Sequence, residues 1–597
     1  MGKPFLHCHR RCKNGKDHCY WSIAEKVRTA RGSWIQRQLL YLGEINDSQK
    51  AAWTRTIAVF DTDRQAATQL ALFPSTHTVP AHVGDAVQVR LSEFTLHRPR
   101  QWGACWVACQ LWQQLDLDVF WSARLPVSRE GTDWKALLQI LTSYRLLDPG
   151  SEWRLHRHWL AHSGLGDLLG VALREISKDS LYRCLDRVLE HRPALFQHLR
   201  ARWQDLFGTK FDVLLYDLTS TYFESDPPFP QDDKRRFGYS RDHRPDCVPV
   251  VVALVVTPEG HPLAYEVLPG NTSDKTTLAA FLEKIEKLHG KAGRIWVMDR
   301  GIPTEAVLEQ MRQSDPKVFY LVGTPKSRLS QLEHQLLDLP WQSARPAVDV
   351  KLLPQGDELY VLARSRDRVS KERAMRRARL KALWKRLRQL RQQKRLTRDE
   401  LLLKLGRAQE EAGRAFDLVE LRLPAPDQEV SAQTFTYTLR QTKLREVRRR
   451  EGRYLLRTNL TGADPAKWWQ FYLQLVEVEA AFKNLKDDLS LRPIFHQKES
   501  RIEAHIFVAF LAYCLSVTLR GQTRKLAGGL SARAVLDKFG ALQMVDVHFP
   551  TTDGRTLIFA RYTQPEKEQR MLLAQLGWEL PEQPPPRITA QGQMIPD

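Results

Sequence analysis

The stretch FDVLLYDLTSTYF at residues 211–223 decides the fold class of this chain. It is an apolar run with the length and composition of a buried strand, and Asp217 lies inside it. VPVVVALVVT at 248–257 and HPLAYEVLPG at 261–270 are two more strand-like runs. The pattern before residue 205 is different, so we expect a domain with a β core to begin near that point.

The segments after these three runs alternate between helical and strand-like patterns. TTLAAFLEKIEKLHG at 276–290 predicts a helix, RIWVMD at 294–299 a strand, residues 304–312 a short helix, and VFYLVGT at 318–324 another strand. The order is therefore three strands, helix, strand, helix, strand. A mixed sheet covered by helices buries the apolar side chains of such an order, which predicts an α/β fold.

The chain before this core has two textures. Its first 60 residues contain short strand-like runs around a basic turn and predict a small β unit. Residues 91–206 carry apolar side chains at helical spacings and predict a mainly helical region. Such a region is able to bind DNA, to bind a second subunit, or to serve only as scaffold.

A strongly basic segment follows the core strands. KERAMRRARLKALWKRLRQLRQQKRL at 371–396 has a narrow stripe of leucines and predicts one arm of a coiled-coil hairpin, with 401–416 as the return arm. Its charged face is either a track for phosphates or a solvated surface. TFTYTLR at 434–440 and GRYLLRTNL at 452–460 predict strands.

Composition narrows the class of partner. The 597 residues are enough for about two to four domains. The net charge of +21 and the pI near 9.6 favour a polyanion such as nucleic acid, although a basic soluble protein without such a partner has the same composition. The N-terminus has no signal-peptide pattern, and the apolar run at 506–519 is shorter than a bilayer span. We therefore expect an intracellular protein with no membrane partner.

The eight cysteines are too few and too scattered for a disulfide framework. Cys8, Cys12, His18 and Cys19 are close enough in sequence to hold zinc, but their spacings match no standard zinc module. Reduced thiols without a metal are the preferred interpretation.

Two aspartates lie in nearly continuous apolar runs. Asp217 lies within LLYDLTST, and Asp299 ends RIWVMD. A buried charge is costly unless it is paired or binds a metal. Either aspartate alone is explained by capping a turn or by pairing with Arg300, but the two together in this strand order favour a functional role.

The segment WWQFYLQLVEVEAAFKNLKDDLSLRPIF at 468–495 carries Glu477 and Glu479 in a helical apolar pattern. Positions seven apart on a helix return to nearly the same face, so Tyr472, Glu479 and Lys486 are expected in one line. The neighbouring apolar residues predict that this face turns toward the core. Glu477 is then the surface charge and Glu479 the inward carboxylate.

Inward carboxylates at 217, 299 and 479 indicate a site for hard divalent cations. Two Mg²⁺ ions about 4 Å apart serve in-line phosphoryl displacement, and Mn²⁺ is a possible replacement. In this hypothesis Asp217 bridges both ions, while Asp299 and Glu479 each hold one. Lys486 would bind a phosphate near the cut, and Tyr472 would hydrogen bond the DNA backbone.

These residues resemble those of the DDE transposases of bacterial insertion sequences, in the group with a Tyr, Arg, Glu, Lys helical signature. Tyr472, Glu479 and Lys486 match that signature, but Leu475 stands at its arginine position, and Arg492 is a partial substitute. Further resemblance lies in these stretches: FGYSRDHRPDCVPVVVALVV, PLAYEVLPGNTSDKTTL, VMDRGIPT and RPIFHQKESRIEAHIFVAFLAYCL. It covers residues 205–545 well and the first 200 residues only loosely.

The resemblance implies an RNase H-like core interrupted by an insertion domain, and a catalytic triad of Asp217, Asp299 and Glu479. It also implies phosphate-binding roles for Arg300 and Arg492. The expected division is a β-rich unit (1–60), a helical DNA-binding or dimerisation region (61–205), the first part of the core (206–327), the insertion domain (328–460), the second part of the core (461–545) and a C-terminal extension (546–597).

The implied activity is metal-dependent hydrolysis at the ends of the element, followed by transfer of the freed 3′ hydroxyl to target DNA. The implied partners are double-stranded DNA, both terminal inverted repeats and target, and a second copy of the chain in the paired-end complex. The implied location is the bacterial cytoplasm, in association with the nucleoid. Two alternatives remain open, a catalytically silent DNA-binding regulator and a metal nuclease of the same core that cuts without joining.

Overall fold

The computed structural model describes residues 5–13, 16–28, 34–44, 57–61, 66–74 and 86–590, apart from 174–175, 225–232, 243, 325–327, 329–330, 333–334, 337, 394, 427, 462–464 and 493. The chain forms two compact units. Unit 1 comprises Met1–Thr209, Ser220–Val250 and Ala481–Asp597, and unit 2 comprises Lys210–Thr219 and Val251–Ala480.

The β-strands are β1 (Phe5–Lys13), β2 (Lys16–Arg28), β3 (Trp34–Glu44), β4 (Ile57–Asp61), β5 (Ala66–Pro74), β6 (Ala86–Val89), β7 (Thr95–Gln101), β8 (Val213–Phe223), β9 (Val248–Val256), β10 (Pro262–Pro269), β11 (Ile295–Met298), β12 (Phe319–Gly323), β13 (Gln342–Arg345), β14 (Val348–Gln355), β15 (Glu358–Ser365), β16 (Val419–Arg422), β17 (Thr436–Leu439), β18 (Arg453–Thr458), β19 (Gln543–Pro550), β20 (Thr556–Tyr562) and β21 (Arg587–Ile588).

The α-helices are α1 (Gly103–Gln114), α2 (Leu117–Ser122), α3 (Trp134–Leu147), α4 (Glu152–Arg154), α5 (Leu165–Leu169), α6 (Lys178–Val188), α7 (Arg192–Phe207), α8 (Asp274–His289), α9 (Glu305–Gln313), α10 (Arg366–Gln392), α11 (Arg398–Ala412), α12 (Gln441–Arg450), α13 (Pro465–Leu473), α14 (Leu475–Lys483), α15 (Glu499–Leu526), α16 (Ala532–Gly540) and α17 (Lys567–Leu576). π-Helical turns follow α4 at Leu155–Trp159 and α14 at Asn484–Asp488.

Unit 2 is built on a nine-stranded sheet in the order β10-β9-β8-β11-β12-β18-β15-β14-β13, of which the ends of β8 and β9 run on into unit 1. The predicted order of three strands, helix, strand, helix, strand is confirmed by β8 through β12. β11 pairs in parallel with both β8 and β12. A mixed α/β sheet is therefore the framework that positions Asp217 and Asp299.

Helix α8 covers one face of this sheet. Tyr216 is buried, packs against Phe281 with ring centroids 5.3 Å apart, and donates a hydrogen bond from its hydroxyl to Thr277 Oγ1 at 2.9 Å. Because side chains alternate along a strand, Asp217 points to the opposite face from Tyr216. Helix α13 contacts β11 and β12.

The basic segment forms the predicted helical hairpin. Its leucine stripe is buried against the return arm, in a cluster made by Leu383, Leu387, Leu390, Leu396, Leu401, Leu405, Ala408 and Ala412. The helix begins earlier than the sequence pattern indicated, at Arg366, where the side chain of Ser365 caps the first turn. This leucine contact involves the C-terminal half of α10.

The strands of the insertion region extend the core sheet. Thr458 of β18 pairs with Leu321 of β12 on one side and with Leu359 of β15 on the other. The resemblance implied an insertion domain at 328–460. Hairpin and strand patterns do not indicate which distant strand they will pair with, so this continuation of the core sheet was not predicted. Strand pairing instead joins β13, β14, β15 and β18 to the core.

Unit 1 contains the long apolar helix α15, which packs against α3, α6 and α16. By length and composition alone this helix is able to cross a membrane, but 94% of its most apolar window is buried inside the protein. The predicted buried helix at 506–519 is confirmed, since its residues Ile506 through Leu519 are buried.

The ends of the chain meet in unit 1, which corrects the expected division. A seven-stranded sheet has the order β6-β5-β4-β21-β20-β19-β7, so strands before residue 102 pair with strands after residue 542. The range 61–205 is helical only from Gly103 onward, and 546–597 belongs to this sheet rather than to a separate extension. Pairing across more than 400 positions leaves no periodic signal in either segment.

The first strands form their own antiparallel sheet, β1-β2-β3, which agrees with the predicted small β unit and adds a third strand. The side chains of Cys8, Cys12, His18 and Cys19, considered above for zinc, lie outside the described residues. The other cysteines, Cys105, Cys109, Cys184, Cys247 and Cys514, are free and buried.

Candidate active site

Unit 2 contains a cleft of about 410 Å³ beside the middle of β8 and the carboxyl end of β11. Asp217, Asp299 and Glu479 all line it, and we call it the carboxylate cleft. The three carboxylates come from a strand, the end of a neighbouring strand and a helix, which are the contexts that the sequence predicted. The structure therefore brings the proposed triad to one cavity.

The two aspartates are held by strand pairing. Met298 lies opposite Tyr216 in the parallel register, and each aspartate is the next residue in its strand direction. Neighbouring strands lie about 4.8 Å apart, so the two carboxylates start from adjacent backbone positions. Asp217 is half-buried and Asp299 exposed. Rigid strands thus fix both attachment points.

Backbone amides orient the aspartate side chains. Asp217 Oδ1 accepts a hydrogen bond from the Leu218 amide at 2.8 Å, and Asp299 Oδ1 accepts one from the Arg300 amide at 2.7 Å. The suggested contact of Asp299 with Arg300 therefore involves the backbone of Arg300, and its guanidinium lines the carboxylate cleft. Both hydrogen bonds end on Oδ1, so Oδ2 of each aspartate is not engaged by these two amides.

Glu479 reaches the cleft in a different way from the one that the sequence indicated. The expected inward, core-facing position is wrong, because Glu479 is exposed, whereas Glu477 is half-buried and has contacts of its own. The buried residue beside it is Val478, and Val476 is 60% exposed. Glu479 is therefore a carboxylate that faces open cleft rather than core.

The helix itself explains this difference. The seven-residue spacing assumed one continuous α-helix, but α13 ends at Leu473, a turn at Gln474 separates it from α14, and a π-helical turn occupies Asn484–Asp488. Each interruption changes the angle between successive side chains. Residue spacing therefore does not predict which side chains share a face when the residues lie on opposite sides of such a break.

Tyr472 is packed beside Asp299. A Cβ added at Gly323 would lie 2.8 Å from Tyr472 Oη and 3.4 Å from Asp299 Oδ1, so only glycine at this position lets the tyrosine approach. Burial, and next the charge of Asp299, raise the pKa of Tyr472. Its hydroxyl therefore keeps its proton at neutral pH and is available as a hydrogen-bond donor.

Lys486 and Arg492, the other predicted phosphate contacts, lie in unit 1. Lys486 Nζ is 2.7 Å from Asp242 Oδ1, and Arg492 forms ion pairs with Asp242 and, at 3.3 Å, with Asp487. Burial lowers the pKa of Lys486, and the hydrogen bond to Asp242 opposes that effect. A phosphate would have to compete with these carboxylates, so both roles stay predictions.

The sequence reasoning missed several residues of the cleft. Arg368, Arg414 and Arg453 supply guanidinium groups, and Leu475 lies in the same wall. The Arg368 guanidinium lies 5.0 Å from the ring centroid of Tyr454. These cations line the same cleft as the leucine at the arginine position of the signature.

A close backbone approach brings these missed residues together. Gly452 has a φ of 64°, and a Cβ there would lie 2.7 Å from the Ser365 carbonyl oxygen. The start of β18 is thereby held against the first turn of α10, which places Tyr454 beside Arg368. The Glu-Gly-Arg-Tyr sequence at 451–454 was a signal for such a turn, but nothing in it indicated its partner.

The donor chemistry of the cleft fits a hard divalent cation. Its described metal-binding side chains are carboxylates, from Asp217, Asp299, Glu479 and Glu372, without a thiol or an imidazole among its described lining residues. Oxygen donors of this kind suit Mg²⁺ and Mn²⁺. The cleft is open on one side, as a site that also takes phosphate oxygens requires.

A second group of ligand-type side chains lies in unit 1. Glu152, His496 and His505 place one potential ligand atom each within 4.8 Å of one another, and all three are buried. Arg145 Nη2 lies 3.8 Å from Glu152 Oε1 and 3.4 Å from His505 Nδ1, so a guanidinium already supplies the positive charge. We call these four residues the Arg145 cluster and interpret it as structural.

Comparison with known sequences decides the class of the protein. The family described as "Transposase DDE domain" matches residues 208–515, more than half of the chain. The chain belongs to this transposase family. The expectation of a DDE-type transposase is therefore confirmed, and the matched range contains the carboxylate cleft.

Other comparisons are more distant. No curated protein matches the sequence. Among solved structures, the chain is similar to "Cryo-EM structure of piggyBac transposase synaptic complex with hairpin DNA (SNHP)", with 10% identity and a TM-score of 0.32 over 73% of this chain and 76% of that chain. The family match is thus the basis of the assignment. Transposases of this family act on DNA strands by cleavage and transfer and generally use divalent metal ions.

Proposed function

We propose that this transposase cleaves DNA at the ends of a bacterial insertion sequence and transfers the freed 3′ end to target DNA. The observation that carries the proposal is the meeting of Asp217, Asp299 and Glu479 in one open cleft of unit 2. Two of these carboxylates are fixed by parallel strands and the third by a helix. The strand order β10-β9-β8-β11-β12 supports the RNase H-like core, because the first strand of that set lies at its centre.

Divalent ions, two Mg²⁺ in the proposed reaction, would activate the attacking oxygen and stabilise the leaving oxygen. Asp217, Asp299 and Glu479 would hold these ions. Hydrogen bonds from the backbone amides of Leu218 and Arg300 hold one oxygen of each aspartate. They orient the two carboxylates before the substrate binds.

The remaining groups of the cleft suit the substrate backbone. Tyr472 would donate a hydrogen bond from its hydroxyl to a DNA phosphate, and Arg300 would pair with a neighbouring phosphate. In unit 1, Lys486 and Arg492 would bind DNA phosphates after release from Asp242, which couples their availability to DNA binding.

The proposed partners are the two inverted-repeat ends and target DNA, held by a homodimer. The net charge of +21 supports a polyanionic partner. The proposed location is the bacterial cytoplasm, where the chain would associate with the nucleoid through its DNA sites.

The test is strand cleavage on the DNA that flanks the gene. Labelled duplexes with the element ends are incubated with Mg²⁺ and wild-type protein, beside the Asp217→Asn variant. Nicking at the element ends, followed by products with joined ends, is expected from the wild type alone. Equal nicking by the Asp217→Asn variant would contradict the proposal.

A second candidate, a DNA-binding regulator without catalytic activity, is favoured by Leu475. The signature has an arginine at that position, and its loss removes one phosphate contact. Specific binding of the ends without nicking, in either Mg²⁺ or Mn²⁺, would support the regulator. Nicking without joined products would instead support a metal nuclease.

A further inference from the structure

A second cavity, of about 570 Å³, lies in unit 2 between the N-terminal half of α10, the segment around Arg414 and α12. We call it the basic cavity. Its charged lining residues are Arg368, Lys371, Glu372, Arg376, Arg379, Arg414, Arg450 and Glu451. Six cations face two carboxylates, so the cavity carries a large excess of positive charge.

The two carboxylates are already engaged within the protein. Glu372 accepts hydrogen bonds from Arg368 Nε at 3.1 Å and from the Gly452 amide at 2.9 Å. Glu451 is buried and forms ion pairs with Arg376 and, at 3.0 Å, with Arg373. These acids therefore do not neutralise the rest of the cavity.

Three cations are left without an acidic partner. In the part of the chain that the structure describes, Lys371, Arg379 and Arg414 form no ion pair, and all three are exposed. Burial, and next the charge of the neighbouring Arg448, lower the pKa of Arg376. A concave surface of this kind attracts an extended anion more strongly than a convex charged helix does.

The basic cavity continues the carboxylate cleft. Arg368, Glu372 and Arg414 line both cavities, so the wall between them is formed by side chains that face both ways. A ligand longer than one phosphate group is able to occupy both at once. The leucine stripe, by contrast, is buried in the hairpin and leaves this N-terminal half of α10 free to bind a ligand.

We propose that the basic cavity binds the DNA sugar–phosphate backbone beside the phosphate that is cut. Lys371, Arg379 and Arg414 would contact successive phosphates of the strand that leads away from the carboxylates. Arg368 would bind at the junction of the two cavities. This inference rests on the proposed function, since it assigns a path for the substrate of the same cleft.

The test compares two double variants on the same helix. Lys371→Gln with Arg379→Gln removes two charges from the basic cavity, and Lys381→Gln with Arg388→Gln removes two exposed charges of α10 outside both cavities. Binding of a labelled 40-base-pair duplex is measured in EDTA from low to high salt. The glutamine substitutions preserve helix propensity, and circular dichroism checks that each variant is folded.

The slope of log affinity against log salt counts the phosphates that are contacted. Loss of two contacts should reduce its magnitude by about 1.8, at roughly 0.9 for each phosphate. We expect this reduction from Lys371→Gln with Arg379→Gln, and less than half of it from the control pair. Equal reductions in both pairs, or none in either, would overturn the basic cavity as a DNA site.

The result is separable from the test of the proposed function. Binding in EDTA needs no metal and no strand cleavage. A slope change confined to the cavity pair, without nicking at any DNA end in Mg²⁺, would contradict the catalytic proposal alone. Nicking by wild type together with equal slopes in both pairs would contradict the basic cavity alone.

Discussion

The carboxylate cleft of unit 2 and the Arg145 cluster of unit 1 hold their acids in opposite ways. In the Arg145 cluster, Glu152 is buried, with two imidazoles and a guanidinium within 4 Å of its Oε1 atom. In the cleft, Asp299 and Glu479 are exposed, and a backbone amide donates a hydrogen bond to Oδ1 of each aspartate.

The difference distinguishes an acid that stabilises a fold from one that is available for chemistry. A buried carboxylate with its partners in place balances their charge inside the fold, and removing it leaves a buried cation unpaired. An acid on a rigid strand, with one oxygen facing a cavity, keeps the capacity to bind a cation. Substitutions in the two places should therefore affect different quantities.

Glu479→Gln should have the largest effect, and on activity alone. Removing one metal-binding carboxylate is expected to reduce end cleavage by about 1,000-fold, or about 4 kcal/mol in the activation barrier. The free energy of unfolding should change by less than about 0.5 kcal/mol, because the side chain is exposed. Single-turnover cleavage and urea unfolding measure the two quantities.

Glu477→Gln is the matched control, because it makes the same change two residues away on the same helix. Its carboxylate does not line the cleft, so cleavage should stay within about threefold of wild type, since no transition-state contact is lost. Equal losses in both variants would show that the negative charge of α14, rather than the position of Glu479, matters.

Glu152→Gln should show the opposite pattern, with loss of stability. It leaves Arg145 buried beside two histidines, and breaking a buried ion pair from one side costs about 3–5 kcal/mol. Urea unfolding followed by tryptophan fluorescence measures the change. Glu190→Gln is the control, because that glutamate pairs with His191 at 3.6 Å but is exposed, and should cost less than about 1 kcal/mol.

Acid should destabilise unit 1 through the same cluster. Burial, and next the charge of Arg145, lower the pKa of His505 to about 4. The unfolded chain takes up this proton near pH 6.5 and the folded chain only near pH 4, so stability is complete above about pH 6.5 and falls toward pH 4. The expected loss is about 3 kcal/mol.

Burial opposes ionisation of Glu152, yet hydrogen bonds from His496 and His505 hold its pKa well below the ordinary range. The contribution of Glu152 to stability is lost at still lower pH, so it increases the acid-induced loss of the unfolding free energy. Unfolding free energies at pH 7, 5.5 and 4 give the curve. A His505→Gln variant that loses as much stability over this range as wild type would contradict the assignment.

Local sequence patterns predicted the helices and strands of the core. They did not predict which strands pair with each other across long stretches of the chain. The run around Asp217 and the strand that ends at Asp299 were found from apolar periodicity, because each signal lies within about ten residues. The sheet that joins β7 to β19 was not found, since its pairing spans most of the chain. The class of the protein followed from short motifs, and the domain division did not.

The site was only half predictable for the same reason. Glu479 was found because its spacing from Tyr472 was preserved, yet its exposure was predicted wrongly, since a turn at Gln474 interrupts the helix. Arg368 was missed because it reaches the cleft only through the contact of Gly452 with the start of α10. Residues that enter a site by tertiary packing leave no motif.

The smallest expected effect is that of substituting Leu475. This substitution tests whether the cleft lacks the phosphate contact that the arginine of the signature makes. Arg300, Arg368, Arg414 and Arg453 already line the cavity around this leucine. Leu475→Arg should therefore change kcat/KM for end cleavage by less than about threefold, because guanidinium groups from other elements would already bind the phosphate. Leu403→Arg, which adds the same charge at an exposed position of α11, is the control for net charge.

Arg368→Gln completes this last comparison, since it removes one of the two guanidinium groups that line both cavities. One charge-assisted hydrogen bond to phosphate contributes about 1.5 kcal/mol or more, so kcat/KM should fall about tenfold. A tenfold gain from Leu475→Arg together with no loss from Arg368→Gln would mean that the cleft lacks the signature's contact. No gain from Leu475→Arg together with a tenfold loss from Arg368→Gln would mean that this transposase supplies the contact from α10, so that the departure at Leu475 is compatible with activity.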